Sequence, residues 1–389
     1  MVNKRFERAV YFWLTFHIII LVQCQLLAPA DTEDMEDHSV SQLFLRWQYA
    51  YKNGPGDLML PPIAVADSPV VFSEAPVLVA LQINTGEKVW QTLLPHDQSL
   101  QSFQLLYNES ILTAPQIDRV IVWDKLTGEE LWSYSVPEVD QGFIGFYYDA
   151  LQGNDFFLTG VRTILYIRLF EGLTWAKRLP HRIGPLLVQD AIVYVGTFNL
   201  EQRDDGTYEE GSLTALNRTT GDSLWTYQTD GVGPTHSPLL IDDNSIYVGT
   251  ASRGGIGHYR FYSIDKYTGH LNWQTVSNLA SYHAILVGDT IFGNDSLGLY
   301  ALDKRTGALL WQNDLGVGHG EDPVAYLDGY VYHTKGGALH IVDARTGEIV
   351  VHKYLCPDRS SVWYVSTGAG AVFVQTLQHL YCYESFQPE

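Results

Sequence analysis

The sequence predicts an all-β fold: an eight-bladed β-propeller of four-stranded blades over residues 42–386. Three observations point there. A turn-and-tryptophan unit recurs along the chain, its copies lie 38 to 50 residues apart, and the two chain ends supply complementary pieces of one more blade. That period is the length of a four-stranded blade.

Asp303-Lys304-Arg305-Thr306-Gly307-Ala308-Leu309-Leu310-Trp311 is the cleanest copy, and it recurs as Asp124 to Trp132 and Asp265 to Trp273. Asn217 to Trp225 and Gln82 to Trp90 replace the first acid. Asp343 to Val351 keeps Thr-Gly and loses the tryptophan, and Arg168 to Trp175 is one residue shorter, with Glu171-Gly172 for Thr-Gly. Each copy reads as two strands around a tight turn. The preceding run, such as Leu299-Tyr300-Ala301-Leu302, is short and apolar, as a strand buried on both faces should be. Asp starts the turn through side-chain to backbone bonds, and Gly supplies a positive φ. The following Leu-x-Trp opens an outer strand whose indole is large enough to wedge between sheets.

The ends complete the ring. After Val351 the chain offers three strands, around Trp363-Tyr364-Val365, Ala371 to Val374 and Leu380 to Tyr383, and lacks a fourth. An outer strand at about 43–50 carries Trp47, 43 residues before Trp90. Together they make the eighth blade and close the circle.

The pattern A-x-D-x-x-T-G-x-x-x-W, whole at Ala301 to Trp311, resembles the PQQ-like propeller repeat of quinoprotein alcohol dehydrogenases and of the bacterial outer-membrane assembly lipoprotein. The resemblance covers residues 42–386 and implies the fold; it does not imply the cofactor, because the consensus residues chiefly pack the repeat. Three departures count against bound PQQ. No two cysteines are neighbours, the blades leave little room for cofactor-chamber insertions, and the family's Glu, Asn and Asp calcium ligands match no motif here. A quinone would need a slot against an indole near the axis, for which Trp123 and Trp363 are the candidates outside the repeat positions. The lipoprotein matches in size and blade number, but Val22-Gln23-Cys24 puts glutamine where lipid attachment needs a small residue.

Ahead of the repeats, residues 1–30 read as a signal peptide: Lys4, Arg5 and Arg8 precede an apolar stretch from Ala9 to Val22, then Ala28-Pro29-Ala30. A retained signal anchor is the alternative. Residues 31–41 form an acidic, disordered lead-in. No later stretch is long or apolar enough to span a bilayer. Sequons at Asn108, Asn217 and Asn294 fit glycosylation in a secretory pathway. If Cys24 leaves with the signal, Cys356 and Cys382 form an even pair, either bonded or held apart by blade geometry. The net charge of -20 excludes nucleic acid as a natural partner.

Loops carry function more often than frameworks do, and the histidines divide unevenly between the two faces. Links between blades hold His96, His181, His236, His283 and His319; second-to-third loops on the same face hold His258, His333 and His379. Asp97, Glu321 and Asp322 stand beside them. Such a rim could ligate a metal ion or exchange protons; scattered loop histidines are the competing reading. The acidic segment 199–211 and the Gly-rich segment 252–260 lengthen two loops on that face. The expectation is therefore a secreted or secretory-pathway binding scaffold whose ligand is a protein or small molecule. The alternative is an enzyme at a His-lined channel mouth, with quinone-dependent oxidation ranked below both.

Overall fold

The computed structural model describes residues 43–52, 69–74, 76–94, 105–115, 119–136, 149–199, 211–229, 233–234, 238–250, 260–275, 283–295, 298–315, 323–355 and 362–388. The signal-peptide and lead-in assignments lie outside them. The described chain is all strand and turn and forms eight antiparallel sheets, the blades of a propeller. Blade 1 comprises Val70–Glu74, Val77–Leu81 and Lys88–Leu93 among the described residues. Blades 2 to 7 are four-stranded and span 106–135, 150–178, 182–228, 240–274, 284–312 and 324–354.

Blade 8 closes the ring as the sequence predicts. Leu45–Ala50 lies antiparallel to His379–Glu384, outside Ala371–Thr376 and Val362–Gly368. Backbone bonds bracket the pairing, from Glu384 N to Phe44 O and from Tyr51 N to Gln378 O, each 2.9 Å.

Burial follows from the period of two. Second and third strands are buried on both faces, whereas fourth strands such as Glu130–Ser135 alternate between exposed and half-buried. Alternate side chains therefore feed different interfaces. Eight apolar clusters result, one between each pair of neighbouring blades, such as Tyr194, Leu213, Ile246 and Tyr262 between blades 4 and 5.

The repeat unit explains how the blades stay in register. Asp303 Oδ1 accepts from the backbone N of Arg305 and Thr306 and from Thr306 Oγ1, at 3.0, 2.9 and 2.8 Å. Gly307 follows with φ of +70°. A bulge between Ala301 and Leu302 resets the pairing, and Trp311 then reaches the next blade, where its Nε1 donates to Ala344 O at 2.9 Å. Trp47, Trp90, Trp175, Trp225 and Trp273 make the same bond, to Ile83, Lys125, Arg218, Lys266 and Lys304. The turn glycine is what the indole lies on: a Cβ on Gly347 would stand 2.7 Å from Trp311 Cδ2.

The two irregular copies have physical reasons. In blade 3 the shortened turn puts Phe170 at φ of +71°, and Gly172 there faces Tyr134, not Trp132. Trp132 instead stacks on Tyr134, with centroids 5.7 Å apart. Val351 has no turn to meet, because the third and fourth strands of blade 8 come from opposite ends of the chain. Leu43 and Phe386, which flank that missing turn, are buried in the Val351 cluster instead.

Candidate functional site

Strand polarity assigns the two faces. Links between blades and second-to-third connections leave one face; first-to-second turns and Thr-Gly turns leave the other. The second face is uniform, with two-residue turns at Asp190-Ala191, Gly288-Asp289, Asp328-Gly329 and Ala369-Gly370. The first is variable: segments 94–105, 136–149, 199–211, 229–239, 250–260, 275–283 and 313–323 all connect there.

The candidate histidines and acids separate in space. His96, Asp97, His236, His258, His319, Glu321 and Asp322 lie outside the described residues, as do most of segments 199–211 and 252–260. His181 and His283 occupy links, ahead of the strands Arg182–Gln189 and Ala284–Val287. They serve different interfaces, between blades 3 and 4 and between blades 5 and 6. His333 departs from expectation. It is not in a loop but inside Tyr330–Lys335, fully buried, because Gly336-Gly337 turns the chain in two residues. Its Nδ1 bonds the Pro323 carbonyl at 3.1 Å. Burial pushes its pKa down to about 3, against the opposing hydrogen bond to the Pro323 carbonyl, with smaller lowering contributions from the neighbouring His340, Lys335 and His283. His333 and His283 thus lie within electrostatic reach, and His333 is a neutral core histidine. His379 opens the strand His379–Glu384, with its backbone N on Thr376 Oγ1. Among the described residues, no three or more His, Cys, Asp or Glu side chains converge to hold a metal ion.

Trp123 is buried in the apolar cluster between blades 1 and 2. The Trp363 side chain lies outside the described residues, although its backbone belongs to the strand Val362–Gly368. Cys382 is a fully buried free thiol, raised to about 12 by burial; Cys356 lies outside the described residues. Asn108 Oδ1 caps a turn by accepting from Ser110 and Ile111, and Asn217 Oδ1 does so from Thr219 and Thr220. Asn294 is fully buried, its Oδ1 accepting from His283 N at 2.9 Å.

Two polar clusters escape a reading by loops. Glu74, buried at the seam of blades 8 and 1, accepts from Tyr49 Oη at 2.8 Å and from the Lys52 backbone N. Burial and that carboxylate raise the Tyr49 phenol to about 12. In blade 7, His340 and His352 face each other across neighbouring strands, Nδ1 to Nδ1 at 3.2 Å. The signal for this pair is register: both residues flank one Thr-Gly turn at matching distances once the bulge is counted.

Sheet order, the Trp–Gly clasps and the ring closure together define a PQQ-like β-propeller. The sequence matches the family described as outer membrane protein assembly factor BamB over residues 45–169, 74–298 and 295–378, and the chain belongs to that family. BamB of Nitrosomonas eutropha is 24% identical over 212 residues, a match spanning 54% of this chain and 47% of that one. Among solved structures, BamB from Moraxella catarrhalis superposes with a TM-score of 0.65 at 16% identity, covering 89% of this chain and 99% of that one. Quinohemoprotein alcohol dehydrogenase from Comamonas testosteroni superposes with a TM-score of 0.66 at 14% identity, covering 92% and 79%. These superpositions show the shared fold.

Proposed function

We propose that this protein is a binding scaffold in the secretory pathway or outside the cell, holding a protein partner on its connection face. The observation that carries the reading is the asymmetry of the faces. One is built from near-identical short turns, while the other collects every long connection on a ring clasped at nearly every interface. A rigid support with variable loops suits recognition better than it suits chemistry. The family relationship supports a protein as partner, since the relatives are named as assembly factors. The basic and apolar N-terminal segment and the three sequons support the compartment. A quinone has little to hold it: no two of the three cysteines are adjacent, and the Trp123 indole is occupied in the core.

The test is to replace residues 252–259 with a Gly-Ser linker of equal length, and separately to alter exposed residues of the Thr-Gly face. Partner capture should be lost only in the first variant, with both retaining the wild-type melting temperature. Capture unaffected by the linker, or abolished only from the opposite face, would overturn the reading.

A further inference from the structure

The imidazoles of His340 and His352 sit at matched positions on the third and fourth strands of blade 7, Ala338–Asp343 and Ile349–Tyr354. Their Nδ1 atoms are 3.2 Å apart, with ring centroids 4.6 Å apart and planes inclined by 69°. Two nitrogens bound to one tetrahedral zinc ion at its usual bond length stand about 3.3 Å apart. The observed separation is that of an imidazole–imidazole hydrogen bond, and the same span fits a two-point chelate.

The surroundings suit the same purpose. His340 is buried, and its Nε2–H donates to the Lys335 carbonyl at 3.4 Å, leaving its Nδ1 lone pair to accept from the Nδ1–H of His352. A second ring nitrogen anchored on a backbone carbonyl is the usual outer support of a metal-bound histidine, fixing tautomer and orientation. His352 is half-buried and packs edge-on against exposed Tyr354, with centroids 4.9 Å apart, so the pair is reachable from solvent. Burial keeps both imidazoles neutral, the form that binds metal.

We propose that His340 and His352 chelate one borderline divalent transition ion of zinc's class through their Nδ1 atoms, with water completing the coordination. On binding, His352 moves its proton from Nδ1 to Nε2, so both lone pairs face the ion and no net proton is released. The site ties the outer strand of blade 7 to its neighbour. That strand carries Val351 at the position where every other outer strand has a tryptophan.

The test uses the full chain without a histidine tag, titrated with zinc chloride by calorimetry and followed by thermal melting. The wild type should bind one saturating equivalent and melt several degrees higher with zinc. His352→Gln, at a half-buried position, should fold normally without zinc yet bind at least about tenfold weaker, a loss no smaller than those from outer-shell changes. It should also lose the zinc-dependent shift, while His379→Gln behaves as wild type. No saturable binding, or binding that His352→Gln leaves intact, overturns the proposal.

Discussion

The Trp273 indole of blade 5 occupies the space that a side chain on Gly307 of blade 6 would need. A Cβ there would stand 2.5 Å from Trp273 Cε3, while Trp273 Nε1 donates to Lys304 O at 2.9 Å in the same turn. The glycine therefore answers two demands, a left-handed backbone and a seat for the neighbouring blade's ring.

Two glycine substitutions separate those demands. Gly288 also has positive φ, +58°, but a Cβ placed on it would meet nothing within 4 Å. Gly288→Ala should destabilise by about 1 kcal/mol, the backbone strain alone. Gly307→Ala must also displace an indole, so urea unfolding should show a loss of about 3 kcal/mol or more. Equal losses would mean the clasp contributes little.

Restoring the absent tryptophan should not help. Val351 packs with Leu43 and Phe386 where blade 8 has no Thr-Gly turn. Val351→Trp should therefore destabilise by about 1–3 kcal/mol through overpacking. A stabilised variant would show that an indole finds a seat there.

Acid should weaken the ring through His333. Its pKa falls from 6.5 to about 3 on folding, so between those values the unfolded chain holds a proton that the folded chain lacks. This contribution is full above about 6.5 and is lost as the pH drops toward 3, at about 1.4 kcal/mol per pH unit. His333→Gln, able to keep a donor near Pro323, should reduce the dependence between pH 6.5 and 5, with the remainder coming from His340 and His352, whose pKa values burial also lowers. Unfolding midpoints at those two values would measure it.

Glycans should distinguish the sequons. Asn108 and Asn217 lie at surface turns, whereas Asn294 is buried and bonded to His283 N. Peptide mapping of protein secreted by a eukaryotic host should find occupancy at Asn108 or Asn217 and none at Asn294.

The blade count, the turn chemistry and the closing strand were legible because each depends on local sequence repeated at a fixed period. Asp at the turn start, Gly at positive φ and the following Trp are adjacent in the chain, so their geometry can be inferred from one copy. His333 was misplaced because a two-residue Gly336-Gly337 turn and a longer loop look alike until strand ends are known. The Glu74 cluster joins residues on both sides of the ring closure, where no periodicity connects Tyr49 to its carboxylate partner. The pairing of His340 with His352 depends on a bulge that shifts register by one residue. Such a shift reverses which side chains meet. Buried polar groups follow tertiary neighbours, and those neighbours are set by register and closure, not by composition.

A scaffold of this kind should engage its partner through the connection face. Hydrogen exchange of the full chain, free and with its captured partner, tests this directly. Protection should rise in segments 94–105, 199–211, 229–239 and 250–260, with the Thr-Gly turns at 124–128, 265–269 and 303–307 unchanged. Protection concentrated at those turns, or along the outer strands, would contradict the assignment.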